Sequence, residues 1–155
     1  MKRVLLIAIV SFVVLSCGKD PELTTAEQLE KDVATIDKYL ADKSITALSD
    51  ESGLRYVITT PGTGIKPTIS STVTVKYVGK FLDNGSIFDQ STSAVSFPLA
   101  NLIKGWQIGF PLLNKGSKAT LYIPSGLGYG KQGYPPAIPS NANLIFDVEL
   151  IDVKN

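Results

Sequence analysis

Thr72-Val73-Thr74-Val75-Lys76-Tyr77-Val78-Gly79-Lys80-Phe81 is the stretch whose reading decides the fold. Successive side chains on a strand point to opposite faces, so Val73, Val75 and Tyr77 share one face and polar residues alternate with them. Asp83-Asn84-Gly85 follows. Asn-Gly tolerates positive φ at low cost and is a hairpin signal. A third apolar segment ends in Ile87-Phe88-Asp89. The same period recurs on either side. Leu54, Tyr56 and Ile58 alternate with Arg55, Val57 and Thr59 up to the turn Pro61-Gly62-Thr63-Gly64. Further strands are expected at Ser117–Ile123 and Leu144–Val153. In the latter, Leu144, Phe146, Val148, Leu150 and Val153 oppose Ile145, Asp147, Glu149 and Ile151.

Between these strands, Asn101–Gly109 reads as one short helix. Gly105 and Gly109 each cost it about 1 kcal/mol relative to Ala. It persists only with Trp106, Leu102 and Ile108 packed under a sheet. The fold class is therefore α+β, a curved antiparallel β-sheet wrapped around one short helix. Residues 125–141 form a long Gly/Pro loop that also carries Leu127, Tyr129, Tyr134 and Ile138. A linker would be polar, so these residues point to a flap over an apolar site.

Composition narrows the chemistry. A chain of 155 residues makes one compact domain with short additions, and 44% apolar residues with six Phe, six Tyr and one Trp fill an ordinary core. No His is present, which excludes a Ser-His-Asp triad and His-based zinc sites. One Cys excludes internal disulfides and clusters of Cys ligands. The acidic residues are scattered with no calcium-loop run, so no metal site is expected. The net charge of +1 shows no basic stripe, and no nucleic-acid partner is expected.

Lys2-Arg3, the apolar run Val4–Leu15 and Ser16-Cys17-Gly18 read as a secretory leader, too short for the roughly 20 residues a membrane span needs. Val14-Leu15-Ser16-Cys17 resembles the bacterial lipobox, with Val where Leu is commonest, and implies lipidation of Cys17. Residues 1–16 are then a lipoprotein signal peptide and 17–24 a tether. Residues 25–48 hold a helix from about Thr25 to Asp42 and a linker, and 49–155 the main domain. Thr25-Ala26-Glu27-Gln28 offers a capping box. Leu29, Val33, Ile36 and Leu40 form an apolar stripe, with Glu30, Lys31, Asp32, Asp37 and Lys38 on the other faces. The helix is read as a spacer resting its stripe on the domain, with a dimerisation or client-binding arm as the alternative.

The motifs of the main domain, in order, resemble FKBP-type peptidyl-prolyl cis–trans isomerases. Tyr77-Val-Gly79, Asp83-Asn-Gly85 and Phe88-Asp89 are followed by Ile103-Lys-Gly105-Trp106, Tyr129-Gly130, Ile138-Pro139 and Leu144-Ile-Phe146-Asp-Val-Glu-Leu150. About two-thirds of the chain is covered. Taken singly, Trp106, Phe88 and Phe146 read as core, Asp89 as a turn residue and Tyr129 as loop packing. The resemblance implies instead a proline pocket with Tyr77, Phe88, Asp89, Trp106, Tyr129 and Phe146 as its catalytic set. Phe97, Leu102, Ile103, Tyr134 and Ile138 would bind substrate, with Trp106 as the floor. Tyr129 would offer its hydroxyl, and Ile103 its N–H, to substrate or ligand carbonyls. Val95 stands where many relatives place an aromatic, which opens that side. Tyr134 stands where some members have His.

Rotation about an X–Pro bond needs no nucleophile, metal or cofactor, so the missing His fits this implication. The expected partners are proline-containing unfolded or partly folded polypeptides, macrolide inhibitors of the FKBP type, and a membrane reached through lipidated Cys17. The expected location is the bacterial cell envelope, lipid-anchored, with the domain outside the cytoplasm. Two other readings stand beside the isomerase. One is a lipid-anchored peptide-binding module or holdase with little turnover. The other is a structural envelope protein, against which the Phe88-Asp89, Trp106, Tyr129 and Phe146 set argues.

Overall fold

In a computed structural model, which describes residues 22–155, the chain forms two α-helices and six strands. The leader, Cys17 and most of the tether lie outside the described residues. Helix α1 spans Thr25–Asp42. The strands are β1 (Leu48–Ser49), β2 (Arg55–Thr60), β3 (Thr72–Phe81), β4 (Ile87–Pro98), β5 (Lys118–Ile123) and β6 (Leu144–Lys154). Helix α2, Lys104–Gly109, lies between β4 and β5. All pairings are antiparallel, in the order β1-β2-β5-β6-β3-β4.

The expected strand β3 forms over its whole length, with Val73 and Val75 fully buried. The segment read as ending at Asp89 instead begins a strand there, and β4 continues to Pro98. Its polar run Gln90–Ser93 hid it. As an edge strand paired only with β3, β4 needs little apolar alternation. In β6 the apolar phase runs through Leu144, Phe146, Val148 and Leu150, then jumps to Val153. The register explains the jump: Val75 faces Leu150 while Thr74 faces Asp152, so Ile151 is the extra residue of a bulge.

Close approach explains the two glycines of α2. A Cβ on Gly105 would lie 2.6 Å from Ile123 Cγ2, and one on Gly109 2.9 Å from Leu121 Cδ1. The propensity cost of about 1 kcal/mol each thereby brings the helix backbone against β5. Trp106, Phe110, Leu113 and the inner residues of β3, β5 and β6 form the main core.

Helix α1 covers the other face of the sheet. Ile36 and Leu40 pack with Leu82, Tyr122 and Ile145, whose strand neighbours Leu121 and Leu144 face α2. Its cap lies one residue earlier than expected. Glu27 N–H donates to Thr24 Oγ1 at 3.3 Å, and the Glu27 carboxylate accepts from Thr24 N–H at 2.8 Å. Two consecutive threonines offered both registers, and the extended backbone of Thr24 chooses the first. Asp32, read as a surface residue, is also corrected: it is 2% exposed. The 125–141 loop has elements of its own, with 3-10 turns at Ser125–Leu127 and Gly130–Gln132 and a bridge from Tyr134 to Ile138.

Candidate functional site

Trp106 is the second residue to follow the entry into α2, and the glycine seat of that helix fixes its indole beneath the sheet. The ring is 4% exposed. Phe110, Phe146 and Tyr77 meet it edge-to-face, with centroids 4.9, 5.2 and 5.3 Å away. Each such pair contributes about 0.5–1.5 kcal/mol beyond area burial, so the indole is gripped from three sides. Its Nε1–H is buried without a hydrogen-bond partner.

Above this ring opens a cavity of about 290 Å³. Tyr77 enters from β3, Asp89 and Phe97 from β4, and Phe146 from β6; Leu102 and Ile103 come from the approach to α2, and Tyr129 from the flap. Asn101, which the sequence reading did not single out, also lines it. No motif marked that residue. Gln107 fixes its segment by donating from Nε2 to the carbonyls of Ala100 at 3.1 Å and Leu102 at 2.6 Å. The Ile103 carbonyl accepts from Trp106 and Gln107 N–H at 3.0 and 3.1 Å. Among the described residues nothing takes up the Ile103 N–H, which stays free for a ligand carbonyl.

Three expected residues lie elsewhere. Phe88 stands behind the wall, edge-to-face on Phe146 at 5.5 Å and tilted against Phe81 at 5.0 Å. It supports Phe146 and does not line the cavity. Ile138 is 3% exposed and belongs to the core. Its main chain closes the flap, accepting from Tyr134 N–H at 2.8 Å and donating to the Tyr134 carbonyl at 2.9 Å. Tyr134 is 64% exposed and meets the site through its ring tilted against Tyr129, with centroids 5.9 Å apart. The family resemblance carried all three, whereas strand alternation and flap closure turn them away. Val95 does not line the cavity either; it pairs with Val75 and packs on the core.

The polar groups are few. Tyr77 donates its hydroxyl to Asp89 Oδ2 at 2.8 Å. Burial, then the bond to Asp89 and its negative charge, push the Tyr77 phenol up to about 12. Burial, with the Asp89 charge second, pushes Tyr129 up as well. Both phenols keep their protons at neutral pH. Tyr77 spends its proton on Asp89, whereas the Tyr129 hydroxyl makes no hydrogen bond among the described residues. Larger hollows exist between α1 and the flap and on the outer sheet face, about 560 and 430 Å³. Neither is walled by an aromatic cluster.

Residues 63–151 match the family model of the FKBP-type peptidyl-prolyl cis-trans isomerase. The chain belongs to that family. A probable FKBP-type peptidyl-prolyl cis-trans isomerase FkpA of Neisseria meningitidis is 47% identical over 105 residues, covering 66% of this chain and 38% of that protein. A solved peptidyl-prolyl cis-trans isomerase of Pseudomonas syringae pv. tomato superposes with a TM-score of 0.74 at 33% identity, covering 86% of this chain and 98% of that one. FkpA from Escherichia coli gives a TM-score of 0.71 at 38% identity, over 82% of this chain and 63% of the other. The chain thus spans about a third to a half of the length of the first relatives it matches by sequence, 38% and 51% for two of them. The architecture is FKBP-like, and α1 lies outside the matched residues.

The raised Tyr77 value of this FKBP-type domain has a sign that can be measured. The folded state favours the neutral phenol, so that stability is fully present below the free value near 10 and is lost as pH rises toward about 12. An ultraviolet phenolate titration should show a late phase that loses one tyrosine in Tyr77→Phe, and the Tyr77 share of it should move down in Asp89→Asn. An unchanged late phase in Asp89→Asn would contradict the Tyr77–Asp89 bond.

Proposed function

We propose that the domain is a peptidyl-prolyl cis–trans isomerase acting on proline-containing segments of unfolded or partly folded polypeptides. One observation carries the reading. The cavity is an aromatic box over a buried indole, and among the described residues the Tyr129 hydroxyl and the Ile103 N–H stand unpaired at its wall.

Twisting an X–Pro amide breaks its resonance, against a barrier of about 18–20 kcal/mol. Uncatalysed exchange takes on the order of tens to hundreds of seconds. The twisted bond is less dipolar than either planar isomer. Dry aromatic walls therefore disfavour the planar forms relative to it. A cavity of about 290 Å³ admits a small ring, and a bound ring displaces the water it held. The two donors can hold flanking carbonyls while the bond between them turns. Catalysis requires tighter binding of the twisted state than of the planar ones, and a millionfold acceleration corresponds to roughly 8 kcal/mol of preference. Asp89 contributes through its hold on Tyr77, which keeps that ring edge-on to Trp106. Macrolide inhibitors of the FKBP type are proposed to occupy the same cavity and use the same donors.

We further propose that the chain is a lipoprotein of the bacterial cell envelope, anchored through a lipidated Cys17 with the domain outside the cytoplasm. The lipobox-like Val14-Leu15-Ser16-Cys17 and the short apolar leader support it. Mass spectrometry of the chain from a membrane fraction should find Cys17 carrying acyl chains; an unmodified thiol there contradicts the anchor.

The isomerase reading is tested by the exchange rate of a proline-containing peptide. The wild-type chain should accelerate it. Trp106→Leu should lower kcat/KM by at least about tenfold, and Tyr129→Phe by about two- to tenfold through kcat. A wild-type rate equal to background, with the peptide still bound, would leave a peptide-binding module or holdase.

A further inference from the structure

Asp32 is out of place in α1. Asp has low helix propensity away from the cap, and a buried carboxylate is costly unless every lone pair is engaged. Yet Asp32 sits mid-helix, 2% exposed, between Leu29 and Ile36. Its partners explain the burial. Oδ2 accepts from Ser125 N–H at 3.0 Å and from Ser125 Oγ–H at 2.5 Å. Oδ1 accepts from Gln28 Nε2 at 2.8 Å, one helical turn back. Two of three bonds thus go to one residue, 93 positions away in sequence.

Ser125 is the root of the flap. Its N–H is shared with Asn143 Oδ1 at 3.0 Å, and its side chain is fully buried. From there the chain runs through short hydrogen-bonded turns. Leu127 N–H donates to the Pro124 carbonyl and Gly128 N–H to the Ser125 carbonyl, each at 2.9 Å. Tyr129 follows directly, and its carbonyl accepts from Gly133 N–H at 3.1 Å. A displacement at Ser125 is therefore transmitted to Tyr129 through few soft torsions.

The flap has little else behind it on this side. The hollow of about 560 Å³ separates residues 22–31 of the helix end from Ser125–Leu127, Gly130, Lys131 and Asn141. Across it runs an ion pair from Lys131 Nζ to Glu22 Oε1 at 2.6 Å, with both side chains about two-thirds exposed. An exposed pair of this kind holds geometry weakly. Charge-assisted bonds to a buried carboxylate are the strong kind.

We infer that Asp32 is a positioning residue: it clamps the root of the flap and so sets where Tyr129 stands over the cavity, which makes α1 part of the site's apparatus. The kinetic consequence rests on the isomerase reading; the structural one does not. Leu40, two turns further along α1, packs on Leu82, Tyr122 and Ile145 and serves as the control, because it loosens the same helix without touching the flap.

The test uses the full chain with two readouts, amide hydrogen exchange over residues 127–133 and kcat/KM for a proline peptide. Asp32→Ala should speed exchange in the flap by about tenfold or more while β3 and β6 keep their protection, and should lower kcat/KM by about tenfold. Leu40→Ala should destabilise the chain with flap exchange and kcat/KM near wild type. Asp32→Asn, which keeps an acceptor, should fall between. If Asp32→Ala does not fold, Ser125→Ala removes one hydroxyl from the same clamp and should loosen the flap in the same direction. Unchanged flap exchange in the clamp variants overturns the inference, as does equal loosening by Leu40→Ala. Loosening with wild-type kcat/KM overturns the positioning role. A wild-type chain without turnover defeats the isomerase reading, and the exchange readout still decides the clamp.

Discussion

The approach of α2 to β5 is the constraint on which the rest depends. At Gly105 and Gly109 the helix backbone comes so near Ile123 and Leu121 that no Cβ fits between them. That seat brings the Trp106 ring under Phe146 and Tyr77, which arrive from β6 and β3. A helix of six residues with two glycines has no independent stability. It exists because the sheet buries it, and the sheet in turn curves around it. Fold and pocket floor are therefore one packing solution.

The walls hold one carboxylate and two phenols. Asp89 is bonded to Tyr77, and both lining phenols are held protonated by burial and by the Asp89 charge. Such a cavity is poorly suited to proton transfer or nucleophilic attack. It is well suited to a reaction whose barrier is the resonance of an amide. The chain's lack of His, read first as an exclusion, thus belongs to the same design.

Strands β3, β5 and β6 were legible because their burial on one face imposes period two on the sequence, and even the bulge left its mark in the shift from Leu150 to Val153. Strand β4 was only half legible, because an edge strand with solvent on its flank tolerates Gln90, Ser91, Thr92 and Ser93. The floor and walls followed from the motif order, but Phe88, Tyr134 and Ile138 did not follow into the cavity. Motifs preserve neighbourhood along the chain, while alternation and hairpin closure decide which side a residue faces. Asp32 was illegible in a different sense. A carboxylate on a helix reads as surface unless its partner is known, and Ser125 lies too far along the chain to suggest itself.

The central claim is that an aromatic cavity seated on Trp106 prefers the twisted X–Pro bond to either planar isomer. Its most direct measurement compares the affinity of one proline peptide with that of an analogue whose amide is held near orthogonal by a ring constraint. The account predicts that the twisted analogue binds at least about a hundredfold tighter, and that Trp106→Leu removes most of that difference. Equal affinity for the two ligands in the wild-type chain would contradict it.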